Sequence, residues 1–120
     1  MGKRQALVIE DNKDIGDVYV LTLHMMEYDA ELVLDGREAL ARLEQHQPDL
    51  IILDMNLPKV SGHYIYKQIR SDARMDACPI IIATANTVVA EQIEGELGPN
   101  DQILLKPISP LQLRSIIEGL

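Results

Sequence analysis

Leu50-Ile51-Ile52-Leu53-Asp54 is an unbroken apolar run that ends in a carboxylate. A short run of branched aliphatic residues is typical of a strand that is buried on both faces of a sheet. The same pattern occurs at 6–9, where Ala-Leu-Val-Ile precedes Glu10 and Asp11. In an open α/β sheet, ligands bind at the edge formed by the carboxyl ends of the strands. The two runs therefore predict central strands with a polar site at their ends.

Two other apolar runs also end in polar residues. Residues 80–83 precede the hydroxyl of Thr84, and residues 103–105 precede Lys106 and Pro107. A further strand at 30–33 alternates apolar and polar residues, which is typical of a less buried edge strand. Helical periodicity between these runs indicates βαβ units and a parallel sheet.

The helices predicted between the strands define the topology. The first begins at Asn12 or Asp14 and runs to about Tyr28, and the others lie near 36–45, 63–70, 88–97 and 110–120. Right-handed crossovers leave few arrangements, and the most apolar strands belong in the middle. We predict a flavodoxin-like, doubly wound α/β fold, with a five-stranded parallel sheet in the order 2-1-3-4-5 and five helices.

Composition restricts the class of protein. With 120 residues, 47% apolar and 25% charged, the chain is expected to form one globular domain. No apolar run approaches the roughly 20 residues that span a bilayer, so no membrane partner is expected. The net charge of −8 disfavours nucleic-acid binding by this segment. A single cysteine, Cys78, fits a reducing compartment, and we expect a cytoplasmic protein.

Carboxylates gathered at one sheet edge favour a cation. Glu10, Asp11 and Asp54 would repel one another if they stood together without a counter-charge. Mg²⁺ prefers oxygen ligands and commonly binds one or two carboxylates beside a phosphate. We predict that these three acids form a metal site, with the backbone carbonyl of Asn56 as a further ligand. Mn²⁺ and Ca²⁺ are candidate substitutes.

Lys106 and Thr84 extend this site toward phosphoryl chemistry. An ammonium beside Asp54 can pair with its carboxylate at rest and with a phosphoryl oxygen later, and the Thr84 hydroxyl can serve another oxygen. Asp54 would then be the nucleophile that forms an aspartyl-phosphate. Taken singly, each residue also fits a structural role, such as a helix cap or a solvated loop charge. Together, on four strand ends, they favour a site.

These residues resemble, along the whole chain, the receiver domain of two-component response regulators. The resemblance rests on the acidic pair Glu10-Asp11, the phospho-acceptor position Asp54, Pro58 and Gly62 in the following loop, Thr84, and Lys106-Pro107. It implies a CheY-like fold, Mg²⁺-dependent transfer to Asp54 and autodephosphorylation. The implied donor is a sensor histidine kinase or a histidine phosphotransfer protein. The resemblance also implies a cis Lys106–Pro107 peptide bond.

The same resemblance implies a switch, and the chain departs from the usual pattern there. In the family, the threonine moves toward the phosphoryl group and the surface of the fourth helix, fifth strand and fifth helix changes shape. The usual aromatic residue of this switch is replaced by Ile103, and the chain contains no Phe or Trp. We therefore predict a different coupling, through the loop after Thr84. In the first helix, Ile15 is the residue we expect to contact the kinase.

Three functional interpretations remain open from the sequence. The leading one is a phosphorylation-controlled signalling module that is not an enzyme. A hydrolase that forms an aspartyl-phosphate is disfavoured, because Asn56 stands where such enzymes carry a second acid. A degenerate receiver that binds partners without phosphorylation is the third.

The sequence also predicts the organisation of the chain. We expect 1–120 to be one receiver domain with no output domain in this chain, either stand-alone or excised from a longer protein. Its output would go to a downstream protein target or a missing output domain. We expect a monomer or a phosphorylation-dependent dimer.

Overall fold

The computed structural model describes residues 2–120, in which five strands alternate with five helices. In chain order these are β1 Arg4–Ile9, α1 Lys13–Met25, β2 Tyr28–Val33, α2 Gly36–Gln45, β3 Leu50–Asp54, α3 Gly62–Arg70, β4 Ile80–Thr84, α4 Thr87–Glu94, β5 Gln102–Leu105 and α5 Pro110–Glu118. A 3-10 helix, Ala73–Met75, follows α3. All strand pairs are parallel, in the order β2-β1-β3-β4-β5. The predicted fold class and strand order are confirmed.

The sheet separates two apolar clusters. Alternate residues of β3 point to opposite faces, so Ile51 and Leu53 pack with the side chains of α2 and α3, whereas Leu50 and Ile52 pack with those of α1 and α5. Both β3 and β4 are buried along their whole length, as the unbroken apolar runs predict. Since the central strands are fixed on both faces, the residues at their ends have well-defined positions.

The predicted ends of two helices are wrong. The first helix stops at Met25 instead of continuing to Tyr28, because Glu27 takes a left-handed conformation with φ of 68° and Tyr28 begins β2, in register with Arg4. The fourth helix spans Thr87–Glu94 rather than 88–97. Pairing with β1 overrides the helical pattern at the end of α1, and α4 ends at the cap residue Gly95.

Capping residues explain where the correctly predicted helices begin. The Asp35 side chain accepts a hydrogen bond from Glu38 N, and the Ser109 side chain accepts one from Gln112 N. In the described part of the chain, no helix has the length and apolar character needed to cross a membrane.

Candidate functional site

Three acids meet at the carboxyl end of the sheet. Glu10 directly follows β1, Asp54 is the last residue of β3, and carboxylate oxygens of Glu10, Asp11 and Asp54 all lie within 4.8 Å of one another. Glu10 and Asp54 are buried, whereas Asp11 is exposed. Since β1 and β3 pair with Ile9 beside Leu53, the register brings the acids together.

Lys106 reaches the same cluster from the end of β5. Its Nζ donates a hydrogen bond of 2.7 Å to Glu10 Oε1 and lies 3.1 Å from Asp54 Oδ2. Its backbone N donates to the carbonyl oxygen of Thr84 at 2.9 Å, which extends the β4–β5 ladder by one residue. The Lys106–Pro107 peptide bond is cis. The ammonium thus bridges two of the three acids.

The electrostatics of the cluster reflect its excess of acids. The pKa of Glu10 is raised to about 7, first by burial and then by its contact with Asp54, while the hydrogen bond from Lys106 opposes the rise. Burial alone would lower the pKa of Lys106, but the hydrogen bond to Glu10 and the charges of Glu10 and Asp54 outweigh it and raise that pKa. A single ammonium therefore does not balance the buried carboxylates.

The donor set suits a hard divalent cation. It consists of carboxylate oxygens from three residues, two of them buried and one open to solvent, at a place where negative charge is undercompensated. The backbone N of Asn56 donates to Asp54 Oδ1 at 3.0 Å, so this residue lies next to the acids. The structure thus places the four predicted ligand residues at one edge of the sheet.

Thr84 ends the neighbouring strand and connects the site to α4. It is buried, and its Oγ1 accepts a hydrogen bond of 3.1 Å from the backbone N of Asn86. The Asn86 side chain in turn caps α4 by accepting from Val88 N and Val89 N. Coupling through the loop after Thr84 was predicted, but this hydrogen bond was not, although short Thr-to-amide turns are a known local pattern.

Two other predicted residues lie near the site. Ile103 pairs with Ile82 across the β4–β5 ladder and, like Val89, is partly buried against the apolar cluster under α2 and α3. Ile15 lines, with Lys106, a largely apolar groove of about 360 Å³ between α1 and the residues that follow β5. The apolar residues of α1 divide between core and surface: Tyr19 and Leu23 are buried, whereas Leu21 and Met25 are exposed.

Comparisons with known proteins agree with this geometry. A sequence model of the response regulator receiver domain matches residues 6–118. The alkaline phosphatase synthesis transcriptional regulatory protein PhoP of Bacillus subtilis is 34% identical over 118 residues, which are 98% of this chain and 48% of PhoP. The chain thus spans about half the length of the transcriptional regulators that it matches.

Solved structures show the same architecture. The chemotaxis response regulator CheY4 of Vibrio cholerae superposes with a TM-score of 0.87 at 29% identity, over 98% of both chains. The receiver domain of the sensor histidine kinase PA1611 from Pseudomonas aeruginosa gives a TM-score of 0.83 at 30% identity, over 99% of this chain and 97% of that one. That PA1611 structure holds a magnesium ion coordinated in its active-site cleft.

Proposed function

This chain belongs to the response regulator receiver domain family, and from that membership we propose that it is a phosphorylation-controlled signalling switch with Asp54 as its phospho-acceptor. The observation that carries the proposal is the position of the Asp54 carboxylate. It is buried beside two other acids and lies 3.1 Å from the ammonium of Lys106. A sensor histidine kinase or a histidine phosphotransfer protein is the phosphoryl donor.

Asp54 acts as the nucleophile. One of its carboxylate oxygens attacks the phosphorus of a phosphohistidine, the P–N bond breaks, and its electron pair stays on the imidazole nitrogen, which takes a proton from solvent. The product is an acyl phosphate on Asp54. Lys106 then pairs with one phosphoryl oxygen, and the Thr84 hydroxyl donates a hydrogen bond to another. Water later attacks the phosphorus, the bond between phosphorus and the Asp54 oxygen breaks, inorganic phosphate leaves, and the carboxylate is restored.

Glu10, Asp11 and Asp54 would hold Mg²⁺, with the backbone carbonyl of Asn56 as a further ligand. When bound, the cation supplies positive charge for the phosphoryl oxygens. Support comes from the three-carboxylate donor set and from the magnesium ion in the related PA1611 receiver domain. Mn²⁺ and Ca²⁺ are candidate substitutes.

The output of the switch is a change in the surface formed by α4, β5 and α5. The recipient is a downstream protein target or an output domain, and the curated relatives include transcriptional regulators about twice as long as this chain. With a net charge of −8, this segment does not itself bind nucleic acid. The site works in the cytoplasm, where histidine kinases deliver phosphoryl groups.

Acetyl phosphate with Mg²⁺ tests the acceptor directly. Intact-mass measurement should show one phosphoryl group on the wild type and none on Asp54→Asn. Asp17→Asn is the matched control, because it removes one carboxylate from an exposed ion pair on α1 and should be modified like the wild type. Equal modification of Asp54→Asn and wild type would remove Asp54 as the acceptor. Uptake that persists when the metal is chelated would contradict the Mg²⁺ site.

A further inference from the structure

We propose that α3 anchors the C-terminal end of α4, so that on phosphorylation α4 rotates about residues 95–101. This inference rests on the proposed function, since it describes how a signal from Asp54 spreads through the output surface. In this chain Ile103 replaces the usual aromatic residue of the switch, so the signal must reach the output surface by another route.

Tyr66 on α3 provides the main part of the anchor. Its hydroxyl donates to Asp101 Oδ2 at 2.6 Å and lies 3.3 Å from the carbonyl oxygen of Glu96, and it accepts from Gly98 N at 3.0 Å. Tyr66 is 2% exposed, and its bond to Asp101 is buried and shielded from water, whereas the contacts with Glu96 and Gly98 are partly buried. The loop after α4 is therefore attached to α3 at three points by one side chain.

Arg70, one turn further along α3, completes the anchor. Its guanidinium binds both oxygens of Asp101, with Nε 3.0 Å from Oδ2 and Nη2 2.7 Å from Oδ1. Asp101 also accepts from the backbone N of Ile80, so it joins the loop to the start of β4. The Asp101 side chain is fully buried, and a bidentate pair of this kind has a fixed geometry.

A second set of contacts between α3 and Glu96 is weaker. His63 Nε2 lies 3.0 Å and 3.1 Å from the two oxygens of Glu96, and Lys67 Nζ lies 3.8 Å from one of them. These side chains are well exposed, and exposed ion pairs contribute little because water and salt screen them. The buried contacts of Tyr66 therefore decide the position of the loop.

The N-terminal end of α4 has a different environment. Residues 85–88 are exposed, and Ile93, near the other end of this eight-residue helix, is its one fully buried residue. Within the described residues, the side-chain hydrogen bond that ties this end to the site is the one from Asn86 N to Thr84 Oγ1, 3.1 Å long. The C-terminal end of α4 is thus held by a largely buried network. Apart from the chain itself and the packing of Val89 on the core, a single side-chain hydrogen bond ties the other end to the site.

Thr84 can release that single bond. At rest its Oγ1 accepts from Asn86 N; when the hydroxyl turns toward a phosphoryl oxygen on Asp54, the oxygen moves away from this amide. The start of α4 then loses its side-chain hydrogen bond to β4, while Tyr66 keeps residues 95–101 in place. A short helix held at one end and released at the other rotates about the held end, as in a hinge motion.

Hydrogen exchange measured by mass spectrometry, with and without beryllofluoride and Mg²⁺, tests the pivot. In the wild type, the ligand should change the amide exchange rate over 84–90 by about fivefold or more, and the rate over 94–101 by less than about twofold. In Tyr66→Phe, the ligand-induced change should extend over 94–101. This variant keeps the ring in the core, and Gly98 N keeps Asp101 Oδ2 as an acceptor, so it is expected to fold.

Tyr64→Phe is the matched control, because it removes a phenolic hydroxyl from a half-exposed position on the same helix and should behave like the wild type. Beryllofluoride uptake at Asp54 with equal changes over 84–90 and 94–101 in the wild type would overturn the pivot. The pivot would also be overturned if, in Tyr66→Phe, the ligand-induced change in hydrogen exchange stayed confined to 84–90 as in the wild type. A wild type that, like Asp54→Asn, shows no ligand-dependent change anywhere would overturn the proposed function itself.

Discussion

Lys106 donates a 2.7 Å hydrogen bond to Glu10, although 96 positions separate the two residues in the chain. The same nitrogen lies 3.1 Å from Asp54, so it contacts two buried carboxylates at once. Because these groups stand at the ends of strands fixed by the core, the site is preorganised. In the proposed reaction, a phosphoryl group would take over the contact to Lys106 without a rearrangement of the sheet.

Lys106→Met should slow phosphoryl uptake from acetyl phosphate by about a hundredfold, since one charged donor to the phosphoryl oxygens is lost. Mg²⁺ should bind more tightly, because a positive charge has been removed beside the acids. Intact-mass time courses measure the first effect and calorimetric titration the second. Lys13→Met, at an exposed ion pair on α1, is the control. Unchanged uptake in Lys106→Met would show that the ammonium has no part in transfer.

Gly62→Ala should disturb the backbone that carries Asp54. A Cβ at position 62 would lie 2.5 Å from the carbonyl oxygen of Asp54 and 2.6 Å from Cα of Met55, and neither backbone atom can move freely. We expect a loss of about 2–3 kcal/mol in the free energy of unfolding, typical of overpacking. Phosphoryl uptake should also be slower. Urea unfolding and mass spectrometry measure the two effects.

Gly95→Ala is the control for this substitution. A Cβ at position 95 meets no atom within 4 Å, and the residue has an ordinary φ of −70°. Its stability should stay within about 0.5 kcal/mol of the wild type. If both alanine variants were equally stable, the close approach at position 62 would not matter.

Asp101→Asn should destabilise the protein in a pH-dependent manner. The change leaves Arg70 partly buried without its carboxylate partner, which is expected to cost about 3 kcal/mol at neutral pH. Burial alone would raise the pKa of Asp101, but the hydrogen bonds from Arg70 and Tyr66 outweigh it and hold that pKa below 3.8. Urea unfolding of both proteins between pH 7 and pH 2.5 measures the difference.

The sign of this effect follows from the lowered pKa. The ionised carboxylate stabilises the folded state fully above pH 3.8, the value of an ordinary aspartate, and that stabilisation is lost as the pH falls through the lower pKa of the folded protein. The gap in stability between wild type and Asp101→Asn should therefore be constant near neutral pH and narrow below 3.8. A gap that stays the same down to pH 2.5 would contradict the role of the charge.

Local signals in the sequence were sufficient for most of the fold. Unbroken apolar runs marked the buried strands, and helical periodicity marked 36–45, where the structure has α2. The parallel order then placed Glu10, Asp54 and Lys106 at one edge, where the structure brings them together. Their roles in phosphoryl transfer remain predictions.

Contacts between distant side chains could not be predicted in this way. Tyr66 and Asp101 meet across 35 positions, and neither leaves a periodic signal, since Tyr66 is spaced like any core residue of α3. The end of α1 was missed because Tyr28 continues its apolar pattern, whereas pairing with β1 makes it part of β2. Such pairings depend on the assembled sheet.

Thr84→Ala should separate phosphoryl uptake from signalling. Loss of one hydroxyl donor should slow uptake by about tenfold or more, but Lys106 and the acids remain. In this variant Asn86 N lacks its side-chain acceptor even before the ligand is added. Beryllofluoride should therefore produce little further change in hydrogen exchange over 84–90. Thr84→Ser should restore the response, since it keeps the hydroxyl.

Thr22→Ala is the control: it removes another buried threonine hydroxyl, which donates to Val18 O within α1, away from α4. A full α4 response in Thr84→Ala would mean that the signal reaches α4 by another route, with Ile103 as the next residue to test.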